Sequence, residues 1–396
     1  MGGSPSEPIA GLISERGSLH REGTPITGAA VISRPTLAET KPGISSLSSR
    51  TYVGTKAFAL RGSLLDAPTV QKLAESTSLD ELVNRLRSTP YADSFANMSP
   101  PFGARRIELA LRERLAVVHH SATQGAGRYR ILQLYYLKNI AWDLKLALKA
   151  RALNRSYEQT VEYLDMKAEE LVGRRDLIVK VLSAKDVNEA VTMLSGSEFF
   201  SDVEKAQAAY ASKGEIRFFD VYIDHAVLSA ISKEYSLNPR LYSAKSADVN
   251  GVSDLVALDI DAYNVLSVLR SKLWGLTEGE VQELIIAPAR RVSLSTLNSM
   301  VSADSVGEAV KMIESAYRFA QQGTQGDEGL IDGVEDGFAK EMRDTAALAF
   351  VWQGLSPGTI LGLIKLLEFE VSNLAAIAIG VEAGLDPKMI LSKLRL

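Results

Sequence analysis

The sequence contains no cysteine, and its 396 residues include only four histidines: His20, His119, His120 and His225. The lack of cysteine excludes disulfides, cysteine-ligated zinc, iron–sulfur clusters and thiol catalysis, and it fits an intracellular compartment. Four histidines leave little material for a histidine-rich metal site. The net charge of −4 excludes a generally basic nucleic-acid-binding protein. With a hydrophobic fraction of 46%, the composition indicates a soluble globular chain.

Aromatic residues are missing from the first fifty positions, where Gly, Ser and Pro make up 21 residues. A segment of this composition buries too little apolar surface to offset the entropy that it loses on ordering. Arg16, Arg21 and several prolines interrupt its apolar residues, so it is not a secretory signal. We therefore predict that residues 1–50 form a mostly disordered extension that folding does not require.

Long uncharged stretches are scarce, and the one that resembles a membrane span is residues 345–364. Its twenty residues are enough to cross a bilayer. However, residues 353–358 in its middle have the pattern of a helix end followed by a helix start, with Ser356 as N-cap and Pro357 at the first helical position. This pattern favours two short buried helices, and we expect no transmembrane helix.

Catalytic motifs are also missing, since the chain has no phosphate-binding loop and no dinucleotide-binding glycine motif. Adjacent His119 and His120 would point about 100° apart on a helix, so we expect a surface pair and not a metal site. Asp220, Asp224 and His225 lie on one predicted helix and are the candidates for acid–base work, although a solvated face or an interface for basic partners is commoner. We predict no catalytic, cofactor-binding or metal-binding residues.

Three further groups of residues are interpreted as structural. The glycine-rich acidic segment 322–337 does not fit the spacing of a calcium loop and is predicted to be a mobile linker. The pairs Arg105-Arg106 and Arg290-Arg291 lack interleaved aromatic residues, so we predict no nucleic-acid binding. The tryptophans are expected to be core anchors; they are Trp142, Trp274 and Trp352.

What the sequence has in abundance is helical periodicity, as at Leu79, Leu82, Val83 and Leu86, and the chain is predicted to be all-α. Two motifs occur three times each. The first is an amphipathic helix that ends in a turn containing a hydroxyl residue and an aromatic residue. Its copies end at Tyr91, Phe199 and, one residue early, Tyr317.

The second motif is a longer helix, a tight turn and another helix. Each copy has an Asp or Asn followed eleven residues later by an Asn or Gly, and two positions after that by a good N-cap residue. The starting residues are Asp143, Asn264 and Asn373. The turn residues, which we expect to be left-handed, are Asn154, Gly275 and Gly384. The N-caps are Ser156, Thr277 and Asp386.

The two motifs alternate along the chain with a period of about 110–120 residues, which favours three similar helical domains. The last helix stays apolar to the final residue, which favours a C-terminus docked on another unit and hence a closed, pseudo-threefold arrangement. We predict a first repeat at 51–130 that C-terminal helices complete, a second at 131–255, and a third with the closing helices at 256–396.

The alternating motifs resemble the C subunit of archaeal-type (A/V-type) rotary ATP synthases and the related d subunit of vacuolar ATPases. The resemblance covers about residues 50–396 and is carried by Leu86-Arg-Ser-Thr89-Pro-Tyr91, by Glu368-Phe-Glu370-Val-Ser-Asn373-Leu374, and by Asn264-Val-Leu-Ser-Val-Leu269-Arg270-Ser-Lys272. The first copy of the second motif departs from the family pattern, because Asp143 stands in place of Asn.

This resemblance implies an all-α funnel of three domains that does no chemistry. The funnel would sit on the cytoplasmic face of the cell membrane, as a peripheral protein that touches the membrane only through the proteolipid rotor ring. It would receive the foot of the central shaft and pass torque between ring and catalytic head for ion-driven ATP synthesis or hydrolysis. The alternative is a soluble helical-repeat scaffold for peptide or protein partners, and an enzyme based on the Asp220, Asp224 and His225 cluster comes third.

Overall fold

The computed structural model describes residues 46–124, 126, 129–238, 242, 250–287, 291–319, 326–352 and 356–395. All of them lie in one compact unit, Glu39–Leu396. These residues form helices and no strands, which confirms the all-α prediction. Across the same ranges, no helix has the length and apolarity needed to cross a membrane. Residues 1–45 of the predicted extension lie outside the described residues, whereas its last five residues, 46–50, form the start of the helix Ser46–Arg61.

The helices of the described ranges are numbered here in chain order. Before residue 200 they are α1 Ser46–Arg61, α2 Ala67–Ala74, α3 Leu79–Leu86, α4 Ala92–Phe95, α5 Ala104–Thr123, α6 Arg130–Ala152, α7 Tyr157–Val161, α8 Lys167–Leu171, α9 Arg175–Ser183 and α10 Val187–Met193. After it they are α11 Phe200–Lys213, α12 Phe218–Leu237, α13 Asn250–Trp274, α14 Glu278–Leu284, α15 Leu294–Ser302, α16 Val306–Lys311, α17 Asp327–Trp352, α18 Pro357–Glu382 and α19 Pro387–Ser392.

The three copies of the first motif are α3, α10 and α16, and they begin with the same hydrogen bonds. In each, the N-cap side chain accepts a bond from the backbone N–H of a Glu three positions later, at 2.9–3.2 Å. That Glu accepts a bond from the backbone N–H of the residue before the N-cap, at 2.8–3.2 Å. The closing aromatic residues, Tyr91, Phe199 and Tyr317, are all buried.

The three copies of the second motif are α6, α13 and α18, each followed by a left-handed residue. Asn154, Gly275 and Gly384 have φ values of 52°, 62° and 66°, which confirms the predicted turns. The backbone N–H of the next residue bonds the carbonyl five positions back at 2.9–3.1 Å in every copy. This Schellman pattern satisfies helix-end carbonyls that would otherwise lack partners.

Two predictions about the C-terminal third are wrong. Residues 327–337 of the predicted linker form the start of α17, and residues 322–325 lie outside the described residues. Gly337 lies against the Phe319 ring, where a Cβ atom would come within 2.1 Å of a ring carbon, so its glycine permits close packing and does not mark a loop. The helices around the predicted break at 353–358 are 26 residues each, and not short. Ser356 does cap α18 as expected, through the Thr359 N–H, while residues 353–355 lie outside the described residues.

The two ends of the described chain pack together. Helix α19 contacts α2, and α18 contacts α1, α2 and α3. Ile390 of α19 is buried and fills the space beside Gly380 of α18. N-terminal helices thus pack on the C-terminal copy of the second motif. The domain boundaries at 51–130, 131–255 and 256–396, and the pseudo-threefold funnel, stay predictions.

A candidate partner-binding cavity

One cavity of about 600 Å³ lies among five helices of the described chain. Residues of α5, α6, α12, α13 and α18 line it, together with Asp165 and Ala168 around the start of α8. The lining mixes apolar side chains with both signs of charge. Because α6, α13 and α18 are the three copies of the second motif, the cavity is bounded by every copy of that motif.

Matched positions of the three copies meet at this cavity. Lys138, Asp259 and Glu368 each stand five residues before the Asp or Asn that begins the motif, and all three line the cavity. Sequence reasoning missed them, because no chemical similarity relates a Lys, an Asp and a Glu. Their constant offset from Asp143, Asn264 and Asn373 was the available signal.

A buried ionic network joins these positions. The Nζ atom of Lys365, whose side chain is 3% exposed, lies 2.8 Å from an Asp259 carboxylate oxygen and 3.3 Å from Glu368. Lys138 lies 3.3 Å from Asp259, and the Tyr135 hydroxyl donates to Asp259 at 2.7 Å. Burial opposes ionisation of Asp259, but Lys138 and Lys365 outweigh it and lower its pKa to about 2. The network therefore links α6, α13 and α18 through charges that are mutually compensated.

Two parallel ion pairs connect α6 to α12 along the cavity wall. Lys145 contacts Asp224 at 2.6 Å, and Lys149 contacts Asp220 at 2.8 Å. His225 points to a different partner, since its Nδ1 atom lies 2.6 Å from Asp202. The Asp220, Asp224 and His225 cluster is thus not gathered around one reacting centre. In the ranges that the structure describes, no three His, Asp or Glu side chains are arranged to hold a metal ion.

Trp142 and Trp274 differ from the prediction that the tryptophans anchor the core. Trp142 and Trp274 are half-buried and line the cavity. The guanidinium of Arg112 lies 3.3 Å from the centre of the Trp142 ring, and that of Arg217 lies 5.4 Å from the centre of the Trp274 ring. Both contacts are within the range of cation–π interactions. The side chain of Trp352 lies outside the described residues.

His119 also departs from its predicted surface location, because its side chain is buried. Its Nε2 atom lies 3.4 Å from the Leu132 carbonyl, and its Nδ1 atom lies 3.3 Å from the Asn139 amide nitrogen. Burial lowers the pKa of His119 to about 4. The imidazole is therefore neutral at pH 7, and His120 is the half-buried member of the pair.

In the two basic pairs, the arginines that the structure describes bind partners within the chain. Arg105 forms an ion pair with Glu108 at 2.8 Å, and Arg106 donates to the backbone carbonyls of residues 99 and 101. Arg291 pairs with Glu341, and Arg290 lies outside the described residues.

Comparison with known proteins gives one family. The model of the "ATP synthase (C/AC39) subunit" family matches residues 53–393. The C subunit of the A-type ATP synthase from Methanocaldococcus jannaschii is 22% identical over 368 residues, which cover 89% of this chain and 87% of the relative. The protein of the same name from Archaeoglobus fulgidus is 24% identical, with 86% and 94% covered. The one from Thermococcus onnurineus is 24% identical, with 86% and 88% covered.

Proposed function

Because the chain belongs to the ATP synthase (C/AC39) subunit family, we propose that it is the central-stalk adaptor of an A/V-type rotary ATPase. Its family role is that of a non-catalytic subunit. In the proposal, it couples the proteolipid rotor ring in the membrane to the central shaft during ion-driven ATP synthesis or hydrolysis. It would attach to the cytoplasmic face of the membrane through the ring alone.

The observation that carries the proposal is the meeting of Lys138, Asp259 and Glu368 at one cavity. Three copies of one motif arranged around a shared space would make a socket, and the cavity is where we place the foot of the shaft. The pseudo-threefold funnel is part of this proposal. A socket of this kind suits a rod-shaped partner better than a small ligand, because it is formed by the long helices of three units.

Torque transfer needs a stiff socket, and two features support that property. The Lys365, Asp259 and Lys138 network crosses between the three long helices with contacts of 2.8–3.3 Å. Each of these three helices ends in a Schellman turn, and close-packed interiors deform little. A force applied at the cavity wall would thus be carried by whole helices.

Co-purification from detergent-solubilised membranes tests the proposal. We expect a tagged chain to recover both ring and shaft subunits. An Ala262→Trp variant, which adds bulk to the cavity lining on α13, should lose the shaft but remain helical by circular dichroism. The matched control is Ala208→Trp, an exposed alanine on α11 outside the cavity lining, which should retain both partners.

The alternative is a soluble scaffold for peptide or protein partners, which the same repeats would serve. It predicts recovery of the chain in the soluble fraction, without ring or shaft subunits. Retention of the shaft by Ala262→Trp would contradict the cavity as its socket while leaving membership in the complex intact.

A further inference from the structure

Two of the three long helices use the first residue of the second motif as a clamp. The Asn264 amide donates to the Ile286 carbonyl at 2.9 Å, and its oxygen accepts the Ile286 N–H at 2.8 Å. Asn373 makes the same two bonds with Arg395, at 3.1 and 2.9 Å. In both copies, the side chain thus ties the long helix to backbone 22 residues later and satisfies one donor and one acceptor.

The first copy has Asp143 at this position and lacks the amide donor. Asp143 still accepts the Met166 N–H, at 3.3 Å, so the accepting half of the clamp is kept. The Met166 carbonyl instead accepts the N–H of Glu170 in α8, at 3.0 Å. The backbone is therefore satisfied without the amide, and Asp143 is buried, with 4% of its surface exposed.

Glu169 lies against Asp143 and is fully buried, with 0% of its surface exposed. No donor of another residue reaches either of its carboxyl oxygens, and only its own backbone N–H favours the ionised form. An ionised carboxylate with no donor from another residue in such a site carries a desolvation cost far larger than that of the neutral acid. A proton on Glu169 removes the charge and lets its O–H donate to Asp143.

We propose that Asp143 and Glu169 share one proton at neutral pH, and that this proton replaces the missing amide in the first of the three clamps. The proton resides on Glu169, and Asp143 accepts from both Glu169 and the Met166 N–H. This proposal concerns the chain's own residues and does not rest on the proposed function.

The charges around the pair agree with this placement. Burial raises the pKa of Glu169, and the neighbouring Asp143 raises it further. Burial also raises the pKa of Asp143, but Arg105 and Arg112 of α5 favour its ionised form. Further titratable or charged groups face this region from α5, from α6 and from the segment around α8; they are Glu108, Glu113, Tyr136, Asp165, Lys167 and Glu170.

Loss of the proton would place two ionised carboxylates in contact inside the protein. The repulsion acts between α6, which carries Asp143, and α8, which carries Glu169 and packs on α5. Asp143, Asp165 and Ala168 line the cavity. Rising pH should therefore loosen this side of the cavity, whereas the sides clamped by Asn264 and Asn373 contain no titrating group at that position.

Chemical unfolding of the full chain as a function of pH tests the shared proton. A carboxyl whose pKa is raised in the folded state makes that state bind more protons than the unfolded state. Stability is therefore lost as the pH rises from the pKa of the unfolded state to the pKa of the folded state. Between about pH 4.5 and about pH 8, the value to which burial and Asp143 raise the pKa of Glu169, we expect the folding equilibrium constant of the wild type to fall relative to Glu169→Gln, by up to about tenfold per pH unit. Glu169→Gln retains a donor to Asp143 but does not titrate.

Glu170→Gln is the matched control on the same helix, because Glu170 is solvent-exposed and pairs with Lys167 and Arg175. It should keep the wild-type dependence on pH. Glu169→Met is a second neutral variant and should also lose the dependence. Retention of the wild-type dependence in both neutral variants would overturn the proposal. Failure of both to fold near pH 7, where Glu170→Gln folds, would overturn it as well, because the site would then require an ionised Glu169.

Discussion

The hydroxyl of Tyr91 donates a 2.7 Å hydrogen bond to Glu370, which lies 279 residues later in the chain. Glu370 also accepts the backbone N–H of Leu65 at 2.6 Å. The same arrangement recurs in another unit, where the Tyr317 hydroxyl donates to Asp261 at 2.8 Å. The two acids occupy the same position, three residues before Asn373 and Asn264.

The remaining copy replaces both partners of this bond with apolar residues. Phe199 stands where the other copies have tyrosine, and Ile140 stands three residues before Asp143. Both Phe199 and Ile140 are fully buried. A buried acid and its donor are therefore kept together or lost together, as expected when an unpaired buried polar group is costly.

Tyr91→Phe should destabilise the protein by about 1–3 kcal/mol, because the buried carboxyl of Glu370 loses its hydroxyl donor. Phe199→Tyr should also destabilise it, because the new hydroxyl would face an apolar partner. The measurement is the free energy of unfolding in urea. Tyr52→Phe at an exposed site serves as control and should change stability by less than about 0.5 kcal/mol. A Tyr91→Phe variant as stable as this control would mean that the bond contributes nothing.

Gly275→Val should cost about 1–2 kcal/mol, whereas Gly275→Asn should cost less. The reason is conformational: φ is 62° at Gly275, and a Cβ atom there would touch nothing within 4 Å. Asn154 already occupies the equivalent turn with a φ of 52°. Thermal or urea unfolding of the two variants checks the order.

Gly279 provides the opposite control, since it lies inside α14 without positive φ and a Cβ atom there would meet open space. Gly279→Ala should stabilise the chain by about 0.4–1 kcal/mol. Equal costs for Gly275→Val and Gly275→Asn would show that side-chain crowding, and not backbone conformation, governs the turn.

His119 should make the protein sensitive to acid. Its pKa is about 4 in the folded state, chiefly because of burial, against about 6.5 when unfolded. The unfolded state therefore binds more protons between these values, and stability present above about pH 6.5 is lost as pH falls, by up to about 1.4 kcal/mol per pH unit. His119→Gln should lose this dependence in unfolding experiments between about pH 6.5 and pH 4. His120→Gln should keep most of it, because His120 is only half-buried, and the same slope in all three proteins would contradict the assignment.

Much of the fold could be predicted because helix caps and turns are local. Asn154, Gly275 and Gly384 carry the requirement for a left-handed conformation in their own residue types. The N-caps Ser156 and Thr277 can be recognised in the sequence, because each is followed three positions later by the Gln or Glu of a capping box. Such signals do not depend on what packs against the helix.

The predictions that failed depend on packing between distant segments. The sequence around Gly337 is typical of a linker, and the reason for the glycine becomes clear only from the structure, where the Phe319 ring packs against it. A tryptophan is typical of a core anchor, but the packing of α5 and α12 beside α6 leaves the Trp142 side chain at a cavity. Lys138, Asp259 and Glu368 differ in chemistry, so their common position becomes visible only when the three long helices are brought together.

Site-directed cross-linking tests the central claim most directly, because the chain has no cysteine of its own. A single cysteine at Ala262 in the cavity lining, or at exposed Ala208 as control, would carry a thiol-linked photo-cross-linker in the assembled membrane complex. The adaptor account predicts a covalent product with the central-shaft subunit from position 262 and none from position 208. Absence of a shaft product from position 262, in a complex that still contains the shaft, would contradict the account.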